Sequence, residues 1–60
     1  MIKIKEAIVV EGIYDKVKLA NIFDTVIVPT GGFDIFKNRN TQMIIQKLAR
    51  SRGIIVFTDC

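Results

Sequence analysis

The chain has 60 residues, half of them hydrophobic and a quarter charged, a balance that excludes intrinsic disorder and allows one domain with a thin core. No apolar run is long enough to cross a bilayer, and the start, Met1-Ile2-Lys3-Ile4-Lys5-Glu6, lacks the apolar block of a signal peptide. A net charge of +3 permits an anionic partner without demanding one, while a single cysteine excludes an internal disulfide and makes the reducing cytoplasm the expected compartment.

In chain order, residues 7–10 (Ala-Ile-Val-Val) form a continuous apolar run, the pattern of a parallel strand covered on both faces. The run stops on Glu11 and Gly12. Asp15 then has the chemistry of a helix cap, and Val17, Ala20 and Phe23 recur at three-residue spacing on one helical face. Val26-Ile27-Val28 is a second β-branched run, closed by Pro29. Thr30-Gly31-Gly32 reads as a turn, and residues 33–38 as a loop or one helical turn. Thr41 is placed to cap a longer helix with an apolar stripe of Ile44, Ile45, Leu48 and Ala49, and with Arg50 and Arg52 where the helix dipole favours cations. Gly53 supplies the stop, and residues 54–57 the third strand.

The order strand, helix, strand, helix, strand predicts an α/β fold, a parallel sheet with right-handed crossovers and helices packed on it. Co-directional strands gather residues 11–12, 30–32 and 58–59 at one edge, the edge where open α/β sheets bind ligands. Glu11 and Asp59 both fall at strand tips there. Two carboxylates held close repel unless protonated or bridged by a cation, and magnesium prefers oxygen ligands. Singly, either acid is better explained as a strand or helix terminus in solvent; the pair points to a metal site and phosphoryl chemistry.

Gly12, Gly31 and Gly32 would let a phosphate approach the backbone, although ordinary turns also use glycine this way. No Walker-type lysine loop and no Gly-x-Gly-x-x-Gly follows the first strand. With no histidine in the chain, Cys60 lacks a nucleophile's partner and an ordinary zinc site is excluded. Gly12-Ile13-Tyr14 matches half of a Gly-Ile-Tyr nuclease signature, but no Tyr-Ile-Gly accompanies it. Phe33, Phe36 and Phe57 are of the type that stacks on bases, and Lys37, Arg39, Lys47, Arg50 and Arg52 of the type that meets phosphates. Core anchoring and a solvated face are the commoner fates of such residues.

"IVVEG" followed by Asp15, and later "GIIVFTD", resembles the Toprim domain family of topoisomerases, bacterial primases and small nucleases. The resemblance implies a Toprim-like (Rossmann-like) three-layer fold. It implies Glu11 as the family glutamate, a general acid or base, and Asp59 as the first aspartate of the Asp-x-Asp motif, the two holding Mg2+. Asp15 sits where a Glu-Gly-x-x-Asp variant has its acid and is a further metal candidate, with Gly12, Thr30, Gly31 and Gly32 facing substrate phosphate.

The N-terminal "IKIKEAIVVEG" and the later "RGIIVFTD" are most similar to the small Toprim branch that matures 5S ribosomal RNA precursors. Thr30-Gly31-Gly32 resembles that branch's Thr-x-Gly loop. The branch implies a magnesium-dependent endoribonuclease acting on RNA, away from membranes, with a ribosomal protein as a further partner. The second aspartate of the motif would fall one position past Cys60, and the family's fourth strand and last helix have no counterpart. Residues 1–60 are therefore expected to be a single partial Toprim domain, inactive alone and open to homodimer formation through two exposed sheet edges. The alternatives are a non-catalytic nucleic-acid-binding module and a piece of a primase or topoisomerase Toprim domain.

Overall fold

The computed structural model describes residues 1–32, 35 and 37–57. Its elements are β1 (Ile2–Lys3), β2 (Ala7–Val10), α1 (Ile13–Ala20), β3 (Phe23–Asp24), β4 (Ile27–Pro29), α2 (Arg39–Ser51) and β5 (Ile54–Val56). The three apolar runs become β2, β4 and β5, a parallel sheet in the order β4-β2-β5. Strands β1 and β3 are additions to the predicted order, a separate parallel ladder with Ile2 opposite Phe23. At two residues each, they offer no alternation for a sequence reading to detect.

All four side chains of β2 are buried, Ala7 and Ile8 to 0% exposure. Successive strand residues point to opposite faces, so burying all four requires cover on both. The connections supply it. The crossover through α1 runs outward from β2 to β4, and the one through α2 runs back past β2 to β5. Right-handed connections travelling in opposite directions place their helices on opposite faces. Accordingly α1 packs on β2 and β4, and α2 on β2 and β5. The result is an α/β architecture compatible with a Toprim-like fold. Among the described residues no helix is long and apolar enough to cross a membrane.

The larger half of the core lies on the α1 side, where Ile8, Val10 and Ile27 meet Ile4, Leu19 and Phe23. This corrects the expected α1 face. The helix stops at Ala20 and Phe23 belongs to β3, so Leu19 is the inward residue while Val17 is 57% exposed. Ala20, like Val17, is exposed, so the expected three-residue stripe faces solvent even where the chain is helical. Asp15 is likewise not the cap: Gly12 is, in extended conformation, and Asp15 stands in the first turn where the helix dipole favours an acid.

Helix α2 also starts earlier than expected. Asn38 caps it, its Oδ1 accepting the Thr41 N–H at 3.0 Å, so Thr41 lies inside the first turn. Ile45 and Leu48 are half-buried as predicted, whereas Ile44 and Ala49 are exposed at the margins of the stripe.

The predicted stop at Gly53 is found. Its φ is +83°, and its N–H and that of Arg52 both donate to the Leu48 carbonyl, at 3.0 and 2.8 Å. A left-handed φ costs a residue with a Cβ about 1–2 kcal/mol. Gly53→Ala is expected to lower the melting temperature by at least about 4–8 °C, read by circular dichroism.

Candidate active site at the carboxyl edge of the sheet

Strands β2 and β4 pair in register from Ile8–Ile27 to Val10–Pro29. The pairing continues past the strands, the Thr30 N–H donating to the Val10 carbonyl at 2.9 Å and the Gly31 N–H to the Glu11 carbonyl at 2.8 Å. Because alternate N–H groups of a strand point to the same side, the nitrogen of Pro29 faces away from β2, on the open side where no donor is needed. Glu11 is thereby fixed, through its backbone, beside the loop of residues 30–32.

That loop turns on two consecutive left-handed glycines, Gly31 at φ +74° and Gly32 at φ +67°. Such a pair is accessible only to glycine without strain. A Cβ on Gly32 would lie 3.7 Å from Glu11 Oε1, so the exposed Glu11 carboxylate leans over a bare stretch of backbone. On its other flank, a Cβ on Gly12 would lie 3.8 Å from Asp15 Oδ2. Glu11, Gly12, Asp15, Thr30, Gly31 and Gly32 thus occupy one edge, as the parallel topology requires.

Strand β5 runs to the same edge, Val56 opposite Val9 and the Phe57 N–H donating to the Val9 carbonyl at 2.9 Å. Asp59 lies outside the described residues, as do Phe33, Phe36 and Cys60. Among the described residues no group of three or more His, Cys, Asp or Glu side chains is assembled to hold a metal ion. The donors at this edge, Glu11 and Asp15, are nevertheless hard carboxylate oxygens. That chemistry fits magnesium, which uses one or two protein carboxylates and completes its shell with water and phosphate.

The basic residues at the two ends of α2 differ in their surroundings. Arg52 is spent internally, its Nε donating to the Lys5 carbonyl at 2.8 Å. Lys37 and Arg39 instead join Asn38 and Asn40 around an open recess of about 470 Å³ at the start of α2. The two asparagines went unnoticed in the sequence reading. The clue was Asn38 itself, a preferred cap immediately before a helix-forming stretch.

Fold and edge together define an α/β parallel-sheet chain with an acidic, glycine-lined carboxyl edge. Over this stretch the chain is similar in sequence to proteins named Ribonuclease M5. It is 39% identical over 59 residues, 98% of its length, to Ribonuclease M5 of Borreliella burgdorferi. It is 48% identical over 59 residues to that of Lactiplantibacillus plantarum, and 46% identical over 57 residues to that of Lactococcus lactis subsp. lactis. The chain spans only about a third of their length, at 32%, 30% and 27%. No family model and no solved structure matches it.

Proposed function

We propose that this sequence is the acid-bearing, substrate-facing part of a Toprim-type, magnesium-dependent endoribonuclease that hydrolyses phosphodiesters in a 5S ribosomal RNA precursor. The observation that carries the reading is the Glu11 carboxylate, exposed over Gly32 at the tip of the buried central strand, in a chain related to ribonuclease M5. A carboxylate so placed can take a proton from an attacking water or return one to the leaving oxygen. The paired left-handed glycines leave room for the phosphate backbone to lie against the loop.

Glu11 and Asp59 would hold the magnesium, with Asp15 as a further candidate ligand. When bound, the ion supplies charge neutralisation at the phosphoryl oxygens. Gly12, Thr30, Gly31 and Gly32 position the scissile phosphate in this reading. A ribosomal protein presenting the precursor, and pairing of two copies through the outer strands β4 and β5, belong to the same proposal.

The test is cleavage of a 5S precursor by the full-length gene product across a magnesium titration. Cleavage is expected to be absent in EDTA and to rise with magnesium. Binding without cleavage at every magnesium concentration would instead favour the non-catalytic nucleic-acid-binding module.

A further inference from the structure

Charge is unevenly spread along this chain. Residues 37–53 hold five of its nine lysines and arginines and none of its six acids, giving that segment +5 against −2 for the remainder. Most of the segment is α2. At 3.6 residues per turn, Arg39, Met43, Lys47 and Arg50 fall within a sector of about 80°, opposite the half-buried Ile45 and Leu48. All four are exposed, Met43 to 66%. From Arg39 to Arg50 the sector runs about 16 Å along the helix axis.

Two open recesses mark this surface. One is the Lys37–Asn40 recess at the helix start, and the other, of about 480 Å³, lies among Met43, Gln46, Lys47 and Arg50. The first sits at the end of α2 that follows the Gly31–Gly32 loop, so the positive face begins on the active-site side and leads away from it. A face merely kept in water mixes both signs of charge. This one does not.

We propose that the outer face of α2 is a second substrate-contact surface, holding the sugar-phosphate backbone of a double-helical stem of the RNA whose scissile bond lies at the Glu11 edge. The inference rests on the reading of that edge as RNA-cleaving. Arginine, lysine and asparagine are the side chains that meet phosphates and set register without reading sequence. The face carries no aromatic ring between Arg39 and Ser51, whereas surfaces for unpaired strands stack bases on aromatic side chains. Double-stranded RNA, recognised by shape and phosphate position, suits a straight, rigid row of cations.

The experiment measures binding of the full chain to a fluorescent RNA stem and to a single strand of equal length, in EDTA, over a range of salt. The unmodified protein is expected to prefer the stem. The triple variant Arg39→Gln, Lys47→Gln, Arg50→Gln is expected to bind the stem on the order of 100-fold more weakly at about 0.1 M salt, with the slope of log K against log salt reduced by about two to three. Lys47→Gln alone should reduce the slope by about one, which decides the matter if circular dichroism shows the triple variant unfolded. Lys3→Gln, Lys5→Gln, Lys18→Gln removes the same charge elsewhere and should leave the slope nearly unchanged.

Equal losses in the two triple variants, an unchanged slope in the α2 variants, or a preference for the single strand would overturn the proposal. The outcomes also separate it from the nuclease reading. Loss of stem binding in the α2 variants, with no cleavage by the full-length gene product at any magnesium concentration, keeps the surface and removes the nuclease. Magnesium-dependent cleavage with undiminished stem binding in the α2 variants does the reverse.

Discussion

In the full-length gene product, Glu11→Gln is expected to lower the rate of RNA cleavage by about 10²–10⁴-fold, the range for loss of a positioned acid or base. Glutamine keeps the length and planar shape of the side chain but removes its charge and its proton-accepting capacity. The fold should not notice. What anchors position 11 is its backbone carbonyl, which takes the Gly31 N–H and is unaltered by the substitution. Exposed positions of this kind usually change stability by no more than about 0.5 kcal/mol. Single-turnover cleavage at saturating magnesium, measured beside a thermal melt, checks both halves of the expectation. An unchanged rate with an unchanged melt would remove Glu11 from the chemistry.

The position of Glu11 was legible in the sequence because burial and direction were legible together. Four consecutive apolar residues demand cover on both faces, and two such runs joined through a helix demand a parallel crossover, so the acid after the first run had to reach the carboxyl edge of the sheet. The same logic placed residues 30–32 there, and the left-handed pair Gly31 and Gly32 fits it. Local detail was less secure. Asn38 and Thr41 are both good cap residues three positions apart, and propensity alone does not choose between them. Phe23 was assigned to α1 because spacing carries no marker of where helicity ends, and the end at Asn21 is made by backbone hydrogen bonds to Lys18 and Leu19. The basic face of α2 was present in the sequence as a segment without acids. Taken singly, its cations read as a solvated face; wound on a helix, Arg39, Lys47 and Arg50 share one sector.

Ile8→Ala is expected to remove about half of the chain's stability. Ile8 is fully buried and, with Val10, is the largest of the wholly enclosed side chains. It sits on the central strand, paired on one side with Ile27 and on the other with Ile55, and belongs to the core cluster packed by Leu19 and Phe23. Truncating such an isoleucine costs about 2–5 kcal/mol. A domain of this length has a total stability of about 3–9 kcal/mol by the usual per-residue range, so one truncation removes a large part of it. The core on the α1 side has few other members to repack into the gap. Urea denaturation followed by circular dichroism measures the loss, and a midpoint within error of the unmodified protein would show that the core does not depend on this contact. The two substitutions then diagnose each other. Glu11 follows Ile8 by three residues on the same strand and its loop, so in the full-length gene product Ile8→Ala should lose cleavage in step with helical signal at a lowered melting temperature, recovering both on cooling. Glu11→Gln should lower cleavage by about 10²–10⁴-fold while the signal melts as in the unmodified protein.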